Sequence, residues 1–127
     1  MVSLLGSSRR PDISFYASGR IDITSHVARL LGIASGDVID VGMEKGEYFF
    51  YVRAKGAGTM GRHEAQCWQT KKGSKNYRAY SKRLCKAVMQ LSGARTVARL
   101  PIGCTALIHG GGTKAVILIA RNNLSDS

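Results

Sequence analysis

The sequence predicts a mainly β protein with two short helices. Three observations carry that class. Ile21 and Ile23 alternate with polar Arg20 and Asp22, the period of a half-buried strand. Val38–Val41 and Tyr48–Val52 flank Glu44-Lys45-Gly46-Glu47, a hairpin signal. Only two segments carry a helical stripe, and glycine follows each, as left-handed C-terminal caps require.

Residues 1–11 read as a flexible arm ending at Pro11. In the first unit, residues 12–55, the Ile21–Ile23 strand leads into a helix that Thr24 or Ser25 can cap. Val27, Leu30 and Leu31 form its apolar side, and Gly32 ends it after barely two turns. Ser35-Gly36-Asp37 is turn chemistry. In the hairpin, the unbroken run Tyr48-Phe49-Phe50-Tyr51 predicts a strand buried on both faces.

Residues 56–75 form a connector around one strand, Ala65–Thr70. A second unit, residues 76–122, begins with a strand at Asn76–Tyr80 and a cap at Ser81. Leu84, Ala87, Val88 and Leu91 follow at i, i+3, i+4 and i+7, a helical stripe closed by Ser92-Gly93. Strands at Thr96–Ile102, Thr105–His109 and Ala115–Ala120 complete it, the last two joined by Gly110-Gly111-Gly112, and residues 123–127 are a tail. Sliding the first unit by 57 positions puts Thr24 on Ser81, Leu31 on Val88 and Gly36 on Gly93. Two readings follow: a degenerate tandem repeat, or ordinary dimerisation with an unrelated C-terminal half.

The order strand, very short helix, Gly-Asp turn and hairpin resembles the AbrB/MazE-like swapped-hairpin (SpoVT-AbrB type) DNA-binding family over about residues 14–55. Gly19-Arg20-Ile21 and Leu31-Gly32-Ile33 followed by Gly36-Asp37 carry the likeness. The resemblance implies that two copies interleave their hairpins into one small barrel, as a homodimer or an intrachain pseudo-dimer. It places Arg20 and Arg29 where relatives contact DNA. Thr24 stands where the family often has proline, and Asp22 where it has an apolar residue, so the strand face bearing Asp22 is expected to be wet.

Charge is the second strong signal. The chain of 127 residues carries a formal +11, and its pI is about 10.1, which points to a polyanionic partner. Residues 1–64 hold eight Lys and Arg against seven acids, residues 65–127 eleven against one. A half so depleted in acid repels itself unless an anion is bound.

The candidate contacts follow from this distribution. Lys82, Arg83 and Lys86 crowd the first turns of the second helix, where cations oppose the macrodipole and a phosphate on the free N–H groups would relieve them. Lys71, Lys72, Lys75 and Arg78 extend the same region, and Arg9 and Arg10 form a basic arm. Six phosphate contacts would give a log–log salt slope of about −5. Trp68, Tyr77 and Tyr80 interleave with lysines, the composition of a single-strand binder that stacks bases. Aromatics in strands also pack cores, and that is the plainer reading of all three.

Other classes are weakly supported. Gly56-Ala57-Gly58-Thr59-Met60-Gly61 spells a dinucleotide fingerprint, but no helix and no acid follow at the required distance. His63 and Cys67 lack a second ligand pair for zinc. No nucleophile and base pair emerges, so neither catalysis nor a cofactor is expected. Cys67, Cys85 and Cys104, odd in number and far apart, fit reduced thiols and a cytoplasmic protein. The sequence thus points first to a duplex DNA-binding transcriptional regulator. Its alternative is a single-stranded DNA or RNA binder, and a toxin–antitoxin-type interaction module comes third.

Overall fold

The computed structural model describes residues 12–53, 64–103, 107–108 and 114–119, the pair 107–108 as backbone. Arg9, Arg10, the glycine-rich segment 56–61, His63, Cys104, His109 and Gly110–Gly112 lie outside the described residues. The fold is mainly β with two helices. In chain order the elements are β1 (Ile13–Tyr16), β2 (Arg20–Ile23), α1 (Ser25–Leu31), β3 (Ile39–Glu44), β4 (Glu47–Val52), β5 (Trp68–Gln69), β6 (Tyr77–Tyr80), α2 (Lys82–Ser92), β7 (Val97–Leu100), β8 (Leu107–Ile108) and β9 (Lys114–Leu118).

The strands form two antiparallel sheets. Sheet 1 has the order β5-β6-β2-β1-β7 and sheet 2 the order β3-β4-β9-β8. The barrel expected from the resemblance is not closed. Single bridges join the sheets at two corners instead, Val38 to Gln66 and Ile102 to Leu118. At the first corner the Gly36 and Cys67 amides donate to Cys67 and Asp37 carbonyls, both at 2.7 Å. A single bridge cannot impose the continuous stagger that closure requires.

Alternation along the strands puts one face of each sheet inward. Ile13, Phe15, Ile21, Ile23, Ala79, Ala98 and Leu100 of sheet 1 are buried against Ile39, Phe50, Val116 and Leu118 of sheet 2. Phe15 and Phe50 meet edge to face between the sheets, with ring centroids 6.4 Å apart. Of the aromatic run in β4 only Phe50 is fully buried, and its neighbours are half-buried. The double burial expected there gives way because β4 lies in a two-layer structure with only one inner face. The β3–β4 turn places Lys45 (φ 52°) and Gly46 (φ 80°) both in the left-handed region, the geometry of a two-residue type I′ hairpin.

The helices seal the open sides of the core. In α1, Val27, Ala28 and Leu31 are buried and Leu30 only partly. Neither expected side chain caps it. Thr24 holds the N-cap by backbone geometry with no side-chain hydrogen bond, and the Ser25 amide donates to Asn76 Oδ1 at 2.8 Å. In α2, Ser81 Oγ does accept the Leu84 amide, at 3.1 Å. Its buried stripe is Cys85, Val88 and Met89, turned from the expected Leu84–Leu91 face, with Leu91 exposed. Cys and Met are soft, adaptable side chains that suit an irregular contact with the rest of the core. Cys67 and Cys85 are free, buried thiols, and desolvation pushes Cys67 up to about 12.

Both helices end on a left-handed glycine, Gly32 and Gly93. The N-caps Thr24 and Ser81 are 57 positions apart and these C-caps 61. Gly93 therefore corresponds to Gly32, not Gly36, and α2 carries about one extra turn. The two halves also interleave: β6 pairs with β2, β7 with β1, and β9 with β4.

Asp12, only 6% exposed, ties this weave together. Its amide donates to the Leu100 carbonyl, its carbonyl accepts the Thr24 amide, and Oδ2 accepts the buried Ile102 amide at 3.1 Å. Asp12→Ala strands that amide and is expected to cost about 1–3 kcal/mol in urea unfolding. Asp12→Asn, which keeps an acceptor, should lose less.

Candidate nucleic-acid interface

The residues that alternate away from the core form the outer face of sheet 1. Register aligns Trp68, Arg78, Asp22, Ser14 and Arg99 in one row across all five strands. A second row brings Tyr80 opposite Arg20 and Tyr16 opposite Val97. At the usual strand spacing the face is about 20 Å wide.

Three aromatic rings and three guanidinium groups therefore share one surface with a single carboxylate. Trp68 is 54% exposed and Tyr80 60% exposed, which corrects the core role expected for them. Tyr77 does pack against the core. The difference is parity: Tyr77 and Ala79 point inward in β6, so Arg78 and Tyr80 point out. The Arg20 guanidinium lies 4.2 Å from the Tyr16 ring centre, a cation–π contact. Asp22 bridges two cations, Arg20 at 3.2 Å and Arg78 at 2.8 Å. Its face is wet, as its polarity demanded. Hydrogen bonding to Tyr16, ahead of the Asp22 charge, shifts the Arg20 guanidinium further upward.

Lys71, Lys72 and Lys75 stand exposed on the β5–β6 turn at one edge of this face. That turn is braced: the Thr70 amide donates to the Asn76 carbonyl at 3.0 Å, and Thr70 Oγ1 and Ser74 Oγ are 2.8 Å apart. Gly73, at φ 80°, supplies the conformation that closes it. Arg29 stands apart from both rows, exposed in the last turn of α1.

The N-terminus of α2 differs from expectation. Glu64 occupies it. Its carboxylate accepts from Ser81 Oγ at 2.8 Å and takes both Arg83 Nε at 3.0 Å and Nη2 at 2.6 Å. Arg83 thus forks on an anion that the chain itself supplies beside the N-cap, in place of the phosphate expected there. It shifts the Arg83 guanidinium upward, chiefly through the Glu64 hydrogen bonds. Lys82 and Lys86 point elsewhere, into a shallow cavity of about 430 Å³ with Arg95.

Sequence reasoning missed Tyr16, Arg95 and Arg99. Ile13-Ser14-Phe15-Tyr16 has the alternation of a strand, and Arg99 alternates with apolar Ala98 and Leu100. Reading that parity would have placed Tyr16 and Arg99 on the outer face. Among the described residues no helix is long and apolar enough to cross a membrane. No protein-family model, curated protein or solved structure matches the chain.

Proposed function

We propose that this protein binds single-stranded nucleic acid on the outer face of sheet 1, with bases stacked on its aromatic rings and phosphates on its cations. One observation carries the reading: Trp68 and Tyr80 stand more than half exposed on a face where Arg20, Arg78 and Arg99 are the principal charges. Large aromatics left in water hold burial in reserve for a partner, and unpaired bases, which offer a π-face whatever their sequence, are suited to cover them. Duplex DNA hides its base faces and is read by an element that enters a groove. Here α1 has only seven residues, and the start of α2 is filled by Glu64. The acid-poor second half supports a polyanion partner in either case.

The role is one of binding, not catalysis, and we place it in the cytoplasm, consistent with the free thiols Cys67 and Cys85. The interleaving of the two halves supports an intrachain pseudo-dimer as the working assembly. On the same ground, distant kinship with the swapped-hairpin family is part of this reading.

Trp68 is the only tryptophan, so its fluorescence reports on the face directly. Competition between a single strand and the duplex of the same sequence is expected to favour the single strand at least about tenfold, with Trp68 emission quenched on binding. Duplex preference with unchanged emission would overturn the reading in favour of a duplex DNA regulator.

A further inference from the structure

The cavity beside α2 is the strongest feature that the sheet face does not absorb. Lys82, Lys86 and Arg95 line it over an apolar floor of Ala17, Met89 and Ala94, and no acid is among its lining residues. Among the described residues, none of the three cations is ion-paired. The arrangement is unfavourable on its own. Lys82 and Lys86 are like charges four positions apart, each pair of which costs a few tenths of a kcal/mol in a helix. Both also sit in the first turns of α2, against its dipole. Glu64 lies instead with Arg83 and Ser81, which line a separate cavity.

Only one turn separates this cavity from the sheet face. Tyr16 ends β1 and Arg20 begins β2, and Ala17, Ser18 and Gly19 connect them. Ala17 lines the cavity and its amide donates to the Thr96 carbonyl at 2.9 Å. Gly19 takes φ +100°, and a Cβ there would come within 2.9 Å of Lys82 Cγ. The glycine lets the Lys82 stem lie against the turn, and the row Tyr80, Arg20, Tyr16 occupies the strand ends that this turn joins, beside Lys82 and the cavity-lining Ala17.

We infer that the Lys82–Lys86–Arg95 cavity holds the phosphodiester backbone of a strand that leaves the aromatic face over the Ala17–Gly19 turn. The inference rests on the single-strand reading and adds a second, purely electrostatic segment to the site. Stacking and phosphate contacts act together on the face, whereas the cavity contributes only further counterion release and so a separable share of the salt dependence.

The test measures binding of a labelled single strand of about 20 nucleotides across salt from about 50 to 200 mM. Lys82→Ala/Lys86→Ala/Arg95→Ala should lower the log–log slope by about 2, since each single-strand phosphate contact contributes about 0.7. Its melting temperature should hold, because all three side chains are exposed. Trp68→Ala/Tyr80→Ala should lose affinity with the slope intact. Lys45→Asn/Lys114→Ala on sheet 2 corrects for bulk charge and should lower the slope by clearly less. An unchanged slope in the triple variant, or an equal drop in the sheet 2 control, would overturn the cavity while a stacking loss kept the face. Failure of Trp68→Ala/Tyr80→Ala to weaken binding would remove the face itself.

Discussion

Phe15→Ala and Phe50→Ala are each expected to destabilise the protein by about 3–5 kcal/mol, measured as a shift in the urea midpoint. Both side chains are fully buried, one from each sheet, and they meet at 6.4 Å with their planes 78° apart. Truncating either removes its transfer free energy and opens a void that two stiff sheets cannot collapse around. Domains hold about 5–15 kcal/mol in all, so either variant consumes a large share. The pair should also couple, by about 0.5–1.5 kcal/mol in a double-mutant cycle, because edge-to-face rings attract beyond the area they bury. Additive losses would mean that the contact is geometric only. A loss below about 1 kcal/mol for either would mean that the sheets are not packed through this point.

The second large effect lies on the opposite side of the same sheet. Trp68→Ala/Tyr80→Ala is expected to weaken single-strand binding by about 30- to 1,000-fold, at about 1–2 kcal/mol for each base left unstacked. Stability should barely move, since both rings are largely solvated in the free protein. The salt slope should also hold, because no charge is removed. Fluorescence anisotropy with a labelled single strand reads the loss, and urea unfolding reads the control. Tyr77→Ala reverses the pattern: that ring packs against the core, so it should lose stability first. Equal binding losses from Tyr77→Ala and Tyr80→Ala at matched stability would show that the outward rings have no special part.

Legibility in the sequence followed the strength of local patterns. The β2–α1–β3–β4 series was readable because its turns are chemically explicit: glycine at φ 67° after α1 and Lys45-Gly46 in the hairpin. The boundaries of β6 and α2 were readable for the same reason, with Ser81 and Gly93 as caps. What was not readable depended on pairing between distant segments. β1 alternates, but it is only four residues long, and its place between β2 and β7 is a pairing that no window around Ile13 contains. Trp68 was assigned by residue type, yet β5 is a two-residue edge strand with too little around it to bury an indole. Glu64 was one acid among seven in the first half, and only folding brings it to Arg83, 19 positions away. The charge asymmetry was visible at once, but its geometry was not. One of its arginines, Arg78, shares Asp22 with Arg20 of the first half, and two of its lysines line the cavity with Arg95.

The interleaving of the halves bears on how the protein is made. β4, in the middle of sheet 2, lacks one neighbour until residues 114–118 exist, and β1 lacks one until residues 97–100 do. During translation neither sheet can therefore complete its pairing until these late strands have been made. Long-range closure of this kind is slow, and it leaves hydrophobic strands in reach of chaperones and proteases. A product cut short of these strands would leave β1 and β4 with unpaired edges, open to pairing with other chains.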